Sequence, residues 1–459
     1  MMRLMEAALA TGGTLLNGDP EFSGVSTDSR GVAAGELFVA LRGERFDGHE
    51  FVDAAGQRGV AAAMVEFAWA EQYRGSLPLL AVMDTRIALG ALAGDWRRRF
   101  AMPLIGVTGS NGKTTVKEMC AAILHAQAGI DRLDPALTVL ATQGNLNNDI
   151  GVPLMLLRLR RSHCCAVIEM GMNHPGEIAY LADLARPTVA LVTNAQRAHL
   201  EGMGSVAEVA REKGAIYRGL GDTGIAVINA DDAYADYWRG INGGRRILSF
   251  GMERPADVRG EALQRGLGSR LRLRAAQGEV EIELRVPGAH NVRNALAAAA
   301  ATLAAGTSLQ AVAGGLAGYG GVKGRLQARK ALKGAMLLDD TYNANPDSVR
   351  AAIDVLTSTP GRKVFVFGDM GETGERAGQL HDEIGGYAKS QGVDLLFALG
   401  EHAELAARNF GGGGRHFARI EDLLAALRPE LDAETTVLVK GSRFMRMERV
   451  ADEIAAPEK

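Results

Sequence analysis

A glycine-rich segment, Gly106-Val-Thr-Gly-Ser-Asn-Gly-Lys-Thr-Thr115, has the residue types and spacing of a nucleotide-binding loop. It follows a short apolar run and precedes a stretch with helical spacing, which is where a phosphate loop belongs. Gly109 and Gly112 let the backbone curl so that amide groups point at phosphate oxygens. Lys113 can reach the β- and γ-phosphates, and the hydroxyl of Thr114 can bind Mg²⁺. The loop predicts nucleotide binding, but it does not decide whether the protein is a motor, a switch, a kinase or a ligase.

Three further residues are candidates for chemistry beside the phosphates. Glu169 ends an apolar strand-like run, AVIEMG, and a carboxylate at the carboxyl end of a parallel strand faces the ligand crevice, where it could hold Mg²⁺. His199 follows a similar run, but hard cations prefer oxygen, so spacing alone favours a structural or substrate-binding histidine. Lys213, in AREKGAIY, is by itself expected to be a solvated helix lysine.

The order of predicted strands, turns and helices, which must position these residues, changes along the chain. Short strands and turns come first, and strand, glycine turn and helix then alternate, which predicts a mostly parallel sheet. Leu271–Arg274 and Val280–Val286 alternate apolar and polar residues and predict a small antiparallel addition. Beyond the glycine-rich stretch Gly314–Gly324, strand-like runs separated by helical stretches predict a second doubly wound unit. We therefore expect an α/β protein with domains at 1–100, 101–325 and 326–459.

Composition excludes several classes of protein. The 51 basic and 54 acidic residues give a net charge of −3, without the basic excess of a nucleic-acid binder. Three cysteines, an odd count, do not make a disulfide framework. The chain shows neither a signal-peptide pattern nor a run of about 18 apolar residues, so we expect a cytoplasmic protein without a membrane partner. The alanine-rich run 295–305 is expected to be a closely packed helix. Glycine is abundant, with 58 residues.

Several blocks occur together in one order along the chain. They are TGSNGKTT, TQGNLNNDIGVPLMLL, IEMGMNHPGEI, NAQRAHLEG, GAHNVRNALAA, GRL, DDTYNANPDS and GDMGETG. In this order and spacing the chain resembles the Mur ligase family, and within it the branch that adds D-alanyl-D-alanine to UDP-N-acetylmuramoyl-tripeptide. The resemblance implies an N-terminal α/β UDP-binding domain, a central phosphate-loop ATPase domain with a mostly parallel sheet, and a C-terminal Rossmann-like doubly wound domain.

The resemblance also implies a reaction. A substrate carboxylate attacks the γ-phosphate of ATP and forms an acyl phosphate, the incoming amine displaces phosphate, and an amide forms. Such an ATP-dependent acid–amino-acid ligase would act in peptidoglycan precursor biosynthesis and release ADP and phosphate. Its partners would be the two small-molecule substrates, and we expect a monomer whose domains close over them.

Individual residues acquire roles from the same resemblance. Those that bind ATP would be Gly109, Ser110, Asn111, Gly112, Lys113, Thr114, Thr115, Asn291, Arg325, Asp340 and Tyr342. Two Mg²⁺ ions would be held by Thr114, Glu169, His199 and Lys213, the last of them carbamylated by CO₂. The catalytic set would be Lys113, His199, Lys213 and Arg325. Asn291 would contact adenine, Arg325 the γ-phosphate, and Asp340 and Tyr342 the nucleotide from the last domain.

The UDP-linked substrate would be bound by two further groups of residues. Its uridine diphosphate end would lie against the STDSR segment, which comprises Ser26, Thr27, Asp28, Ser29 and Arg30, with Arg45 close by. Its muramoyl-peptide would be bound by Asn145, Asn147 and Asn148. Without the other blocks STDSR would be taken for an ordinary turn. Gln196 departs from relatives, which often have an acidic residue there, and this leaves the metal ligands intact.

Other functions remain open at this stage. Within the enzymes, the runners-up are the diamino-acid-adding Mur ligase and a folylpolyglutamate synthetase-like ligase. DDTYNANPDS argues against the former, which typically carries D-Y-A-H-x-P-D in that place, and STDSR argues against the latter, which lacks a separate UDP domain. A different class is a phosphate-loop switch or regulatory ATPase that binds partners without joining substrates. No motif fixes the third residue of the peptide, diamino acid or lysine.

Overall fold

The computed structural model describes residues 1–44 and 46–457. The N-terminal elements are β1 (Met2–Arg3), α1 (Leu4–Thr11), β2 (Thr14–Leu16), β3 (Glu21–Phe22), β4 (Val25–Ser26), β5 (Leu37–Val39), α2 (Val52–Gln57), β6 (Ala62–Glu66), α3 (Phe67–Ala70), β7 (Leu79–Val82) and α4 (Thr85–Arg98). Strands β4 to β7 run parallel, and β2 pairs antiparallel with β7. The fully buried strands β5 and β7 are continuous apolar runs, as expected where helices or loops cover both sheet faces.

The central region is built on a longer sheet. Its elements are β8 (Leu104–Thr108), α5 (Lys113–Ile130), α6 (Pro135–Thr138), β9 (Val139–Ala141), α7 (Gly151–Leu156), β10 (Cys165–Glu169), α8 (Glu177–Ala185), β11 (Val189–Val192), α9 (Leu200–Met203), α10 (Val206–Gly214), β12 (Ile225–Asn229), α11 (Ala235–Ile241), β13 (Arg246–Gly251), β14 (Val258–Arg265), β15 (Gly268–Ala275), β16 (Gly278–Leu284), α12 (Ala289–Ala304) and α13 (Leu309–Gly318). The strand order is β16-β15-β14-β13-β12-β11-β8-β10-β9. Pairing is parallel from β9 to β14 and antiparallel through β15 and β16.

The C-terminal region forms a separate doubly wound sheet. Its elements are β17 (Gln327–Lys330), β18 (Met336–Asp340), α14 (Pro346–Thr357), β19 (Arg362–Gly368), α15 (Ala377–Ser390), β20 (Leu395–Leu399), α16 (Ala403–Phe410), β21 (Gly414–Phe417), α17 (Ile420–Leu427), β22 (Thr435–Lys440) and α18 (Glu448–Ile454). The order is β17-β18-β22-β19-β20-β21, with β17 antiparallel and the other pairs parallel. The predicted α/β class, with a mostly parallel central sheet and a doubly wound C-terminal unit, is confirmed.

Some local predictions differ from the structure. The antiparallel addition is larger than expected, since β14 belongs to it and all its strands continue the central sheet. We expected the stretch Gly314–Gly324 to mark the boundary before the C-terminal unit. Its first half is helical instead, because α13 extends to Gly318. A Cβ on Gly315 would lie 2.5 Å from Cα of Ile123, so this glycine permits close packing of α13 against α5. In the sequence, the glycines of a helix contact look the same as the glycines of a domain boundary.

The topology brings the candidate residues to one edge of the central sheet. Glu169 of β10 is in register with Val107 of β8, and Val192 of β11 is in register with Thr108. The phosphate loop, Glu169 and the loop after β11 therefore leave the sheet side by side at its carboxyl edge, the usual place for a ligand in such a fold. Behind them the alanine-rich α12 is buried and packs on α5, as predicted. No helix within the described residues has the length and apolarity needed to cross a membrane.

Candidate active site

The phosphate loop requires glycine at the two positions that the sequence singled out. Gly109 has φ +146° and Gly112 has φ +80°, both in the left-handed half of conformational space. A Cβ at Gly109 would lie 1.9 Å from Oγ1 of Thr193, and one at Gly112 would lie 2.3 Å from Oδ1 of Asn294. The backbone thus turns in close contact with its neighbours and leads directly into the N-terminus of α5, whose free amide groups favour an anion.

Lys113 is the cation of this loop. Its Nζ donates hydrogen bonds to the carbonyl oxygens of Gly109, at 2.7 Å, and Ser110, at 3.2 Å. Burial lowers the pKa of Lys113, and the nearby carboxylate of Glu169 opposes that effect. The ammonium is therefore held at the loop by carbonyl oxygens, in a position from which it can turn toward a bound phosphate.

Glu169 and Thr114 fit a divalent cation. Oε1 of Glu169 accepts hydrogen bonds from Nδ2 of Asn147, at 2.8 Å, and Oγ1 of Thr114, at 3.3 Å. Oε2 of Glu169 is buried and has no hydrogen-bond partner among the described residues. A carboxylate oxygen left free next to a hydroxyl is a suitable pair of ligands for Mg²⁺. The described part of the chain contains no group of three or more His, Cys, Asp or Glu residues placed to hold a metal.

His199 lies at the meeting point of the central and C-terminal regions. Its backbone is in the left-handed region, with φ +56°. Its Nδ1 lies 2.7 Å from Oε2 of Glu372, which belongs to the GDMGETG segment after β19. Burial lowers the pKa of His199 and favours the neutral ring, and the adjacent His199 ring lowers the pKa of Glu372.

Lys213 contradicts the expectation drawn from its own sequence context. It was expected to be a solvated helix lysine, but its side chain on α10 is fully buried. Its Nζ has no hydrogen-bond partner within the described residues. Burial, and next the charge of Lys113, lower the pKa of Lys213 well below its usual range. A neutral buried amine without a partner fits a lysine that reacts with CO₂, because the resulting carbamate is an anion that can accept hydrogen bonds or bind a cation.

A third group of residues reaches the phosphate loop from the C-terminal region. Nη2 of Arg325 lies 3.3 Å from Oγ1 of Thr114, and its guanidinium stacks 3.9 Å above the ring of Tyr342. Asp340 accepts hydrogen bonds from the backbone of Leu326, at 3.0 Å, and from Nζ of Lys440, at 2.5 Å. The GRL segment is therefore fixed to the tip of β18, and this fixes Arg325 at the phosphate loop.

These groups enclose one cavity of about 1050 Å³. The predicted site residues that line it are Ser110, Asn111, Gly112, Lys113, Thr114, Thr115, Asn145, Asn147, Asn148, Glu169, His199, Asn291, Arg325, Asp340 and Tyr342. Gly109 and Lys213 lie behind this lining. Asn291 is buried, and its Nδ2 donates to the carbonyl oxygen of Pro287 at 2.8 Å. The structure thus brings the predicted ATP and metal residues together.

The residues predicted for uridine diphosphate lie elsewhere. Ser26 ends β4, and the segment that follows is a turn in which Arg30 pairs with Asp28 at 2.9 Å. None of Ser26, Thr27, Asp28, Ser29 and Arg30 is among the residues lining the cavity, as far as the structure describes it. Arg45 lies outside the described residues. The role of this segment stays a prediction. Asn147 and Asn148, assigned to the muramoyl-peptide, have local contacts: Asn147 with Glu169, and Oδ1 of Asn148 with the amide of Gly151, at 2.8 Å.

Two residues of the site were missed from the sequence. Glu372 was quoted within GDMGETG but received no role, although it is the partner of His199. Asn194 accepts a hydrogen bond from the amide of Asn111 at 2.9 Å and so holds the phosphate loop. Both lie inside sequence blocks that carry the family resemblance, so the sequence already marked these segments as functional. The sequence does not show which residue each of them contacts.

Replacing Glu169 with glutamine tests the proposed cation site. We expect E169Q to need about tenfold or more Mg²⁺ for half-maximal ATP turnover, because an amide is a weaker ligand than a carboxylate. The measurement is the rate of ADP formation against Mg²⁺ concentration. Glu208→Gln, on the exposed side of α10, is the matched control and is expected to follow the wild-type curve. An unchanged Mg²⁺ requirement in E169Q would remove Glu169 from the ligands.

Known proteins are similar to this chain over nearly its whole length. The UDP-N-acetylmuramoyl-tripeptide–D-alanyl-D-alanine ligase of Escherichia coli (strain K12) is 42% identical over 445 residues, which are 95% of each protein. The chain belongs to the Mur ligase family. The enzyme of the same name from Haemophilus influenzae is also 42% identical to this Mur ligase, over 93% of this chain and 92% of that protein.

Three sequence models of the family match successive parts of this Mur ligase. The catalytic domain of the Mur ligase family matches residues 21–97, the Mur ligase middle domain matches 107–302, and the glutamate ligase domain matches 324–443. The predicted boundaries after residues 100 and 325 stay predictions.

Solved structures agree with this membership. MurF from Acinetobacter baumannii has a TM-score of 0.89 and 36% identity to this Mur ligase, over 98% of this chain and 97% of that one. The MurF ligase of Thermotoga maritima, solved in complex with ADP, has a TM-score of 0.80 and 28% identity, over 93% and 96% of the two chains.

Proposed function

We propose that this Mur ligase joins D-alanyl-D-alanine to UDP-N-acetylmuramoyl-tripeptide, converts ATP to ADP and phosphate, and serves peptidoglycan precursor synthesis. One observation carries the proposal beyond nucleotide binding. Arg325, at the junction of the central and C-terminal regions, reaches Thr114 of the phosphate loop, so a γ-phosphate would lie where the two domains meet. A ligase needs that arrangement, because an acceptor delivered from one side must meet a phosphorylated donor held on the other.

The first step would be phosphorylation of the donor. A carboxylate oxygen of the UDP-linked peptide attacks the γ-phosphorus, the bond to the β,γ-bridging oxygen breaks, and ADP leaves. Lys113 and the amides of the phosphate loop bind the phosphate oxygens, and Arg325 places a second cation at the γ-phosphate. Arg325 already lies at the phosphate loop beside Thr114, and Lys113 would turn from the loop carbonyl oxygens onto the phosphate.

The second step would form the amide. The amine of D-alanyl-D-alanine attacks the acyl carbon, the carbon–oxygen bond to phosphate breaks, phosphate leaves, and the nitrogen loses a proton. The protein's part is to hold amine and acyl phosphate in contact and to exclude water, which would hydrolyse the intermediate. The DDTYNAN and GDMGETG segments, which line the C-terminal wall, are the elements placed to orient the acceptor.

The proposed cofactor is Mg²⁺, at two positions. Thr114 and Glu169 would hold one ion, and His199 with a carbamylated Lys213 would help to hold the other. Bound Mg²⁺ would neutralise charge on the phosphate oxygens during transfer. Burial lowers the pKa of Lys213 and so favours the unprotonated amine, which is the form that adds CO₂, and this supports the carbamate. We further propose a cytoplasmic monomer that acts on small molecules and not on nucleic acid.

Substrate dependence tests the function. We expect sustained ADP formation only when ATP, Mg²⁺, UDP-N-acetylmuramoyl-tripeptide and D-alanyl-D-alanine are all present, because without the amine the reaction stops at the acyl phosphate of the first turnover. A coupled assay for ADP, with each component omitted in turn, measures this, and mass spectrometry identifies the amide. A single D-amino acid or a diamino acid in place of the dipeptide is the control for the sister ligases. ATP turnover at the full rate without the dipeptide would instead indicate a switch or regulatory ATPase.

A further inference from the structure

The loop after β11, residues 193–199, is fastened to the phosphate loop. The amide of Ser110 donates to the carbonyl oxygen of Asn194 at 3.0 Å, and the amide of Asn111 donates to Oδ1 of Asn194 at 2.9 Å. Nδ2 of Asn111 donates to Oε1 of Gln196 at 2.7 Å. Any shift of this loop would therefore move the backbone that is to hold the phosphates.

The other side of the same loop is fastened to the C-terminal region through Arg197. The backbone amide of Arg197 donates to Oδ2 of Asp347 at 2.8 Å, and Nε and Nη2 donate to Oδ1 of Asp347 at 2.9 and 2.7 Å. Nη1 lies 3.1 Å from both carboxylate oxygens of Glu383. One residue of the central region thus binds two carboxylates, on α14 and α15 of the C-terminal region.

The two carboxylates have different relations to Arg197. Glu383 also accepts a hydrogen bond from Arg350, at 3.1 Å, which lies on α14 of the same region. Asp347 accepts hydrogen bonds only from Arg197 within the described part of the chain. Separation of the two regions would leave Glu383 paired but would strip Asp347 of its partner. The contact to Asp347 therefore depends wholly on the two regions being together.

The pair is better suited to hold a contact than an ordinary surface ion pair. The side chains of Arg197 and Asp347 are only 25% and 24% exposed. A guanidinium that bonds a carboxylate through several N–H groups is geometrically specific, and partial burial reduces screening by salt. Asp347 also lies in the first turn of α14, where the helix dipole favours a negative charge. Truncating one partner of such a pair across an interface is costly.

Two residues further on, His199 makes the neighbouring contact to the same region. Its Nδ1 lies 2.7 Å from Glu372, and the amide of Glu201 donates to the carbonyl oxygen of Glu372 at 3.3 Å. Arg197 is therefore the first of two successive attachments of this loop to the C-terminal region. Arg197 also lines the cavity, where its guanidinium is bound to Asp347 and Glu383.

We propose that Arg197, through Asp347 and Glu383, is a positioning residue that latches the C-terminal region onto the loop carrying Gln196 and His199. Formation of the latch would set the phosphate loop, His199 and the acceptor side of the cavity in one closed arrangement. The inference rests on the proposed ligase reaction only for its kinetic readout, since closure itself can be measured without turnover.

Small-angle scattering of the full chain is the direct test. The radius of gyration is measured with and without Mg²⁺, UDP-N-acetylmuramoyl-tripeptide and an ATP analogue that has a methylene between the β- and γ-phosphates. Wild type is expected to contract on addition of these ligands, and R197A and D347N are expected to remain extended. Arg350→Ala is the matched control, because it removes a guanidinium from Glu383 without touching the central region, and it should contract like wild type.

Kinetics separate a latch from a general loss of structure. In R197A and D347N we expect kcat to fall about tenfold, while binding of the ATP analogue changes little because Asn194 and Gln196 still hold the phosphate loop. R197K should be intermediate, since lysine keeps the charge but not the fork of donors. The double variant R197A/D347N should be no worse than the poorer single variant.

Specific outcomes would overturn the latch. It is wrong if R197A contracts like wild type, if R350A loses as much activity as R197A, or if the losses of R197A and D347N multiply in the double variant. Thermal unfolding of each variant identifies one that fails to fold, and D347N then carries the test alone. If wild type forms no ADP in response to D-alanyl-D-alanine, the proposed function fails, yet the scattering result still decides the latch.

Discussion

Replacement of Lys113 with alanine is expected to abolish ADP formation, with a loss on the order of 10³-fold or more. Lys113 begins α5 directly after the second glycine of the phosphate loop, and its ammonium has carbonyl oxygens as its hydrogen-bond partners. It is thus the cation that can move onto the phosphates without disturbing an ion pair. Alanine at this position leaves the loop's amides and helix dipole in place, so nucleotide binding weakens less than transfer does.

The measurement is kcat for ADP formation in the complete reaction, together with direct binding of the ATP analogue. Lys323→Ala is the control, since Lys323 lies just before the GRL segment, is 69% exposed and has its closest carboxylate, Asp452, at 3.8 Å. That variant is expected to keep wild-type turnover. An activity of K113A within a few fold of wild type would refute the role of Lys113 and, with it, the assignment of the phosphate loop as the catalytic one.

The sequence was sufficient to predict the part of the site built on the central sheet. Lys113, Thr114 and Glu169 follow apolar runs that could only be parallel strands, and parallel strands direct their carboxyl ends to the same edge. Local pattern and one topological rule therefore bring these residues together. The alanine-rich α12 was predictable for a similar reason, because an unbroken run of small apolar residues needs a close-packed environment.

The contacts between regions could not be predicted in the same way. His199 and Glu372 are 173 positions apart, and Arg197 and Asp347 are 150 apart. Which charged side chains meet across such distances depends on how two separately folded sheets pack, and no periodicity encodes that. The strands β17 and β21 are hard to predict for a related reason, since they are edge strands and lack the continuous apolar run of a buried strand.

Lys213 shows where a residue's own context misleads. AREKGAIY places three charged residues in a row, which favours a solvated stretch of helix. The hydrophobic residues Val209 and Ala210 are buried on the same face of α10, and Lys213 follows them at the spacing of one helical turn. Lys213 therefore shares the buried face of α10, but a fully buried lysine is so unusual that solvation is the better expectation from sequence alone.

Replacement of Lys213 with alanine is expected to inactivate the enzyme, and a short carboxylic acid such as formate or acetate is expected to restore part of the activity. The neutral amine adds CO₂ to give an N-carboxylate and one proton, and the anion would then stand where Nζ now has no partner in the described structure. Alanine removes the amine and leaves a buried space of the same shape. An added carboxylate can enter it and supply the missing oxygens.

The rescue experiment measures ADP formation by K213A against the concentration of each acid. Lys440→Ala is the matched control, because Lys440 is also fully buried with a lowered pKa, but its Nζ is hydrogen bonded to Asp340 and to the carbonyl oxygen of Asn343. Loss of activity in K440A should not respond to carboxylic acids, since the missing group there is a donor. Two results together would exclude the carbamate. K213A would stay inactive at every acid concentration, and wild-type activity would be unchanged when CO₂ and bicarbonate are removed. Full activity of K213A without any acid would exclude a catalytic role altogether, and the buried amine would then be a feature of the core alone.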